Sequence, residues 1–312
     1  MSRLTILLIS AILLLSACLR PQDIYLFSYF TGNGEDGLHL AYSTDGLAWT
    51  ALKEGKSFLS PSVGNDKLMR DPCIIKGHDG LFHMVWTSGW WDKHIGYASS
   101  PDLMHWSQQK AIPVMEHEPE ARNCWAPEIF YDNNNKEYLI FWSTTIPGRH
   151  SEVATSEREK GLNHRIYYVT TSDFNKFSET NMFFNPDFSV IDATITEKDR
   201  KFYMIVKNEN SNPPEKNLRV TSSSNAQGPY PVEVSVPITG NYWAEGPTCL
   251  QVGEYMHVYF DKYRDHQYGA IRSKDMKHWE DISDQVSFPQ GIRHGTAFKV
   301  SERVYERLLE NP

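Results

Sequence analysis

Five short segments carry ionisable side chains at matching positions: Arg70-Asp71-Pro72, Trp125-Ala126-Pro127-Glu128, Ile191-Asp192-Ala193, Ala244-Glu245-Gly246-Pro247 and Arg293-His294-Gly295. Taken singly, each acidic residue could be a turn cap or the partner of an arginine. Taken together, they would place several carboxylates in one small cavity if folding brought the segments to a common point. Like charges held close raise one another's pKa. A protonated carboxylic acid beside an ionised carboxylate is the pair that hydrolysis of a glycosidic bond requires.

A repeat in the chain supplies the means of bringing them together. A small hydroxylated residue, then Asp two positions on, then an aromatic four further on, occurs as Ser43/Asp45/Trp49, Ser100/Asp102/Trp106, Thr171/Asp173/Phe177 and Ser273/Asp275/Trp279. The last gap is about twice the others, and a degenerate copy at 222–230, with an NAQGPY turn, fills it. Each copy follows a strand-like segment (38–43, 95–99, 165–170, 217–221, 268–272), and each of these follows an aromatic-rich one (24–30, 81–87, 137–143, 201–207, 254–260). Runs rich in aromatic and β-branched residues, bounded by Gly, Asn and Asp, read as strands. Helical periodicity is confined to the tail, 302–309.

Short antiparallel strands repeating about every 50 residues imply a β-propeller. Four repeats have a further strand beginning at Asp71, Ala126, Asp192 or Gly246, and the first has none before it. The matching segment His294–Phe298 stands alone near the C-terminus, so it is expected to complete the first blade and close the ring, removing open sheet edges. The expected fold is all-β, a five-bladed propeller forming one domain over residues 24–312. The loops at 31–37, 88–94, 144–163, 208–216 and 261–266 then share a face with the starts of the inner strands. Functional groups collect on such loops.

Asp71 in RDP, Asp192 in VIDATI, Glu245 in WAEGPT and His294 in RHGT resemble the pattern of glycoside hydrolase family 43, in the same chain order and on separate blades. The resemblance spans about residues 24–300. It implies an inverting, single-displacement mechanism on furanosides or xylosides, with Asp71 as general base, Glu245 as general acid and Asp192 tuning and holding the acid. It places His294 near the axis, facing a hydrated calcium or other ion through water; no cofactor enters the chemistry. Glu128 would contact that ion or an arginine, and Arg70 and Arg293 would pair with carboxylates or bind substrate. Trp90, Trp125 and Trp243 could stack on sugar faces, or pack between blades; Trp91, Arg149 and His150 lie on the same face. Trp49, Trp106 and Trp279, at one repeat position, are structural.

The implied activity is exo-acting release of terminal sugars from plant polysaccharide side chains, foremost α-L-arabinofuranosyl groups. β-Xylosidase, β-galactofuranosidase or galactanase activity are alternatives, as are a retaining fructosidase, a phosphorylase and a non-catalytic glycan-binding propeller. The 312 residues hold 31 Lys plus Arg against 39 Asp plus Glu, a formal charge of −8. That balance suits a neutral oligo- or polysaccharide partner, and nucleic acid, which needs a basic face, is not expected. Residues 1–17, with an apolar run from Leu4 to Leu15, read as a secretory signal too short to span a bilayer. Leu15-Ser16-Ala17-Cys18 resembles a bacterial lipoprotein signal, which implies lipidation of Cys18, a tether at 18–23, and a monomer anchored in the cell envelope. The odd set Cys73, Cys124 and Cys249 reads as free thiols.

Overall fold

The computed structural model describes residues 23–150 and 161–310; the signal segment and Cys18 lie outside them. Five antiparallel sheets are arranged as the blades of a propeller. Blade 1 holds β1 (Ile24–Tyr29), β2 (His39–Ser43) and β3 (Thr50–Ala51). Blade 2 holds β4 (Arg70–Lys76), β5 (Phe82–Thr87), β6 (Ile95–Ser100) and β7 (Lys110–Ile112). Blade 3 holds β8 (Trp125–Asp132), β9 (Glu137–Thr145), β10 (His164–Thr171) and β11 (Asn181–Phe184). Blade 4 holds β12 (Val190–Lys198), β13 (Lys201–Asn208) and β14 (Asn217–Ser223). Blade 5 holds β15 (Glu245–Val252), β16 (Tyr255–Lys262), β17 (Gln267–Ser273) and β18 (Glu280–Asp281). The chain then returns as β19 (Thr296–Val300), pairs with β1, and ends in the helix α1 (Glu302–Glu310).

The core is divided into slabs between neighbouring blades. Ile74, Met84 and Trp86 of blade 2 pack on Leu26 and Leu40 of blade 1, and Val85 and Tyr97 pack on Ile129, Ile140 and Trp142 of blade 3. Three further clusters join blades 3 and 4, 4 and 5, and 5 and 1. A strand sandwiched on both faces needs apolar residues at nearly every position, so β1 and β5 are buried along their whole length. The outer strands β3, β7, β11 and β18 are short and largely exposed. Without a continuous apolar run they carry no strand signal, and the sequence reading stopped at three strands per blade.

The repeat is a turn that ends each third strand. In blade 1 the Gly46 amide donates to Ser43 Oγ at 2.9 Å, and the Leu47 and Ala48 amides donate to Asp45 Oδ1 at 2.7 and 2.9 Å. Blades 2, 3 and 5 repeat the arrangement around Asp102, Asp173 and Asp275. Hydroxyl and carboxylate together satisfy amides that a tight turn leaves without backbone partners. In blade 4 Tyr230 takes over, donating its hydroxyl to the Ala226 carbonyl at 3.0 Å.

Ring closure depends on β19. Ile24 lies opposite Val300 and Ser28 opposite Thr296. Ser28 Oγ donates to the Pro72 carbonyl at 2.6 Å and accepts the Thr296 amide at 3.1 Å, while the Ala297 amide donates to Thr248 Oγ1 at 3.0 Å. Blades 1, 2 and 5 are thus tied at one seam. A Cβ on Gly295 would lie 1.7 Å from the Ser28 carbonyl oxygen, and backbone there cannot yield without breaking the pairing. Gly295→Ala is expected to cost about 3 kcal/mol or more, seen as a lowered denaturation midpoint; an unchanged midpoint would show that the seam tolerates displacement.

Candidate active site

Four inner strands slip register at the same place. The pairing skips between Arg70 and Cys73, Trp125 and Glu128, Ile191 and Thr194, and Glu245 and Thr248. Within each slip one residue has a left-handed backbone: Asp71 (φ 52°), Ala126 (φ 47°), Asp192 (φ 53°) and Gly246 (φ 60°). Such bulges re-aim side chains. Here they bring Asp71 and Asp192 to a cavity at the mouth of the channel. In blade 5 the bulge must be glycine, because a Cβ on Gly246 would meet the His294 ring at 2.4 Å. The blade-5 acid therefore stands one residue earlier, as Glu245, at the register position held by Arg70, Trp125 and Ile191.

The second strands supply the partners. Thr87 donates to Asp71 Oδ2 at 2.8 Å and accepts the Ala126 amide from the next blade at 2.8 Å. Ser143 accepts the Asp192 amide at 3.3 Å. Asp192 Oδ2 in turn accepts the Gly246 amide at 3.0 Å, fixing the backbone beside Glu245. Lys207, fully buried, holds its ammonium 2.9 Å from Glu245 Oε2 and 2.7 Å from Glu209 Oε2, over the Tyr263 ring. Arg293 bridges Asp261 at 2.7 Å and Glu245 at 3.3 Å. His294 Nδ1 lies 3.3 Å from Asp71 Oδ1.

These contacts separate the carboxyl groups. Burial works to raise the Asp71 pKa, but the His294 imidazolium, Arg70 and the Thr87 hydroxyl outweigh it and hold the group down at about 2. Burial raises Asp192 to about 6. Burial also opposes ionisation of Glu245, yet Lys207 and Arg293 overcome it and leave the group below its ordinary value. Burial alone would depress His294, but Asp71, with Asp192 and Glu128, raises it to about 9. Deeper in the structure, Glu128 accepts a hydrogen bond from Thr194 Oγ1 at 2.9 Å, and burial pushes it up to about 8. Among the described residues it pairs with no arginine, and it does not line the cavity.

The cavity measures about 230 Å³ and is lined by Arg70, Asp71, Trp90, Trp125, Asp192, Lys207, Glu209, Glu245, Arg293 and His294 among others. All five blades face it or border it. Four carboxyl groups stand against four basic ones, so it carries no excess positive charge for a phosphate. Trp125 donates its indole N–H to the Trp90 carbonyl at 2.8 Å and meets the Trp90 ring edge-on at 5.7 Å. Arg70 lies between the Phe30 and Trp90 rings, at 4.8 and 4.3 Å, and donates to Asn33 Oδ1 at 2.9 Å. Trp91 reaches only the outer side of Trp125, at 5.8 Å.

Trp243 departs from the expectation. It does not line the cavity but packs on Tyr263 at 5.8 Å, with the Arg264 guanidinium 4.9 Å from its ring. Arg149 bonds Glu118 and also lies away from the cavity. Sequence reasoning missed Thr87, Lys207, Glu209 and Asp261; the available signal was a polar residue at the end of an otherwise apolar second strand. Among the described residues no group of three or more His, Cys, Asp or Glu side chains is arranged to hold a metal ion. The His294 imidazolium, turned to Asp71, has no lone pair to offer one there. The residues do not fit direct coordination.

Residues 21–306 match the family-43-related model described as "Probable glycosyl hydrolase domain". The chain belongs to this family of glycoside hydrolases. An α-L-arabinofuranosidase of Bifidobacterium longum is 23% identical over an aligned length of 192 residues, covering 52% of this chain and 18% of that one; the chain thus spans under a fifth of that relative's length. Solved structures share the fold. An α-L-arabinofuranosidase of Lactobacillus brevis superposes with a TM-score of 0.55 at 16% identity, over 69% of this chain and 72% of that one. An exo-β-1,3-galactanase of Phanerochaete chrysosporium gives 0.52 at 11%, over 68% and 49%.

The Asp71–His294 pair makes stability depend on pH in two windows. His294 has a folded pKa above its ordinary 6.5, so its pairing stabilises the fold fully below pH 6.5 and is lost as pH rises through about 9. Asp71 is depressed, so its contribution is present above pH 3.8 and lost as pH falls toward about 2. His294→Gln should flatten the alkaline fall in Tm between pH 6.5 and 9 by a few degrees; parallel curves for the two proteins would show that His294 is not held as a cation.

Proposed function

We propose that the protein is an exo-acting, inverting glycoside hydrolase that releases terminal α-L-arabinofuranosyl groups from polysaccharide side chains. What carries this reading is the convergence of Asp71, Asp192 and Glu245, from three blades, on one small charge-balanced cavity. Its volume lies below the roughly 300–1,000 Å³ of ligand pockets that enclose larger molecules, which favours one sugar ring over a length of chain. The similarity to the Bifidobacterium arabinofuranosidase supports the choice of sugar.

In this mechanism Asp71, ionised across the working pH range, takes a proton from a water molecule as its oxygen bonds to the anomeric carbon. Glu245 gives a proton to the glycosidic oxygen as the bond from that carbon breaks. The sugar leaves with inverted configuration and the remainder as an alcohol. Lys207 and Arg293 favour the carboxylate of Glu245, so the acid role requires a proton to be delivered there. Asp192, raised to about 6 and bonded to the Gly246 amide, is the adjacent proton-holding group. Trp125 and Trp90 present apolar faces to the sugar ring, while Arg70 and Arg293 border the cavity. A hydrated calcium near the axis would be held by His294 only through water, and the steps above are those of the chain's own carboxyl groups. The lipoprotein-like Leu15-Ser16-Ala17-Cys18 supports placement on a bacterial envelope membrane.

The test is hydrolysis of aryl α-L-arabinofuranoside, β-D-xyloside, β-D-galactofuranoside and β-D-galactoside by wild type, Asp71→Ala and Glu245→Ala. The arabinofuranoside should be cleaved, with the inverted anomer appearing first by NMR, and each substitution should lower kcat/KM about 10³-fold. Equal cleavage by all three proteins would overturn the carboxylate roles; preference for another glycoside would move the substrate alone.

A further inference from the structure

A second cavity, of about 410 Å³, is lined by blade 5 and by the segment 283–293 that leads to β19, and it shares the Arg293 side chain with the first. Arg293 forms the partition. Its guanidinium donates to Glu245 on the catalytic side and to Asp261, buried in the wall of the second cavity. The second cavity therefore lies beyond the side of Glu245 that faces Arg293. In the mechanism above, Glu245 protonates the departing oxygen, so whatever is attached to that oxygen is directed toward this side.

The lining suits a carbohydrate. Tyr263 and Phe288 offer half-buried aromatic surface, and His266, Gln267 and Gln290 offer exposed polar groups. Aromatic walls with a few polar groups are the usual make-up of sites that recognise sugars by stacking and hydroxyl hydrogen bonds. Buried Tyr268, which also lines the cavity, has no hydrogen-bond partner for its hydroxyl among the described residues, a state that buried polar groups seldom keep. Tyr263, which lines this cavity, also carries over its ring the ammonium of Lys207, which lines the first.

We propose that this cavity is the leaving-group subsite, taking the neutral sugar unit of the polysaccharide to which the released sugar was attached. The proposal rests on Glu245 being the acid. It explains how a catalytic cavity small enough for one sugar could still select its polymer: recognition of the main chain is assigned to a separate cleft on the other side of Arg293.

Two measurements test it, both on the whole protein, with substitutions at exposed positions. The first compares kcat/KM on an arabinofuranosyl-substituted xylo-oligosaccharide with kcat/KM on an aryl α-L-arabinofuranoside. Gln290→Trp, which fills the cavity, and His266→Ala should lower that ratio about tenfold and threefold respectively. The second measures calorimetric binding of oligosaccharides from arabinoxylan, arabinan and galactan to the Glu245→Gln protein with and without Gln290→Trp. The oligosaccharide that binds should bind about tenfold more weakly to the doubly substituted protein. An unchanged ratio, equal affinities, or no oligosaccharide binding would overturn the subsite. If wild type cleaves no arabinofuranoside, the choice of released sugar fails, and the binding comparison still decides the subsite by itself.

Discussion

A one-residue slip at the head of the inner strands is the constraint on which the site depends. In a propeller the inner strands run side by side along the axis, and regular pairing would point alternate side chains into the packed faces of neighbouring blades. The left-handed residue in each bulge breaks that alternation at one level. A left-handed backbone costs an ordinary residue about 1–2 kcal/mol, less for Asp, whose short polar side chain can bond locally. Asp71 and Asp192 stand where that tolerance is useful. Ala126 has no such compensation of its own, and its amide is instead held by Thr87 of the preceding blade. The same slip explains why the blade-5 acid is displaced by one residue: His294 occupies the space above Gly246.

Gathering carboxylates in a buried place is costly unless each is paired, because breaking a buried ion pair by removing one partner typically costs about 3–5 kcal/mol. The structure answers with alternation of charge around the ring. Asp71 faces His294, Glu245 faces Lys207 and Arg293, and Glu209 faces Lys207 and Lys216. The Asp71–His294 and Glu245–Lys207 pairs cross blade boundaries, as the hydrogen bonds of Thr87, Ser143 and Asp192 do, while Glu209 pairs within blade 4. Electrostatics and blade packing therefore stabilise the same arrangement.

Much of this was legible in the sequence. The Ser/Thr-Asp-aromatic turn repeats because its hydrogen bonds repeat, so the blade count could be read directly, and each expected second and third strand falls within two residues of its place. The lone His294–Phe298 segment was legible as the closing strand because a ring needs one. The outer strands were not, since two to four exposed residues carry no periodicity. Lys207 and Asp261 were hidden for a different reason: they end aromatic-rich strands, where a polar residue reads as the start of a loop. Nor could composition tell that Trp125 lines the cavity whereas Trp243 packs on Tyr263 outside it. Cys73 and Cys124 are buried and unpaired, and Cys249 is half-buried, as free thiols read from an odd count would be.

The pairing of β1 with β19 also gives the molecule a polarity. Ser28 and Thr296 lie at the end of that pair nearest His294, and Ile24 and Val300 at the other. The chain at Asp23 consequently enters on the side opposite His294 and the cavity, and α1 begins on that same far side. A surface attached to the polypeptide before residue 23 would sit behind the propeller, with the mouth turned outward like a lamp on a bracket. Polymer would then reach the cavity from the open medium, without having to thread between the protein and its support.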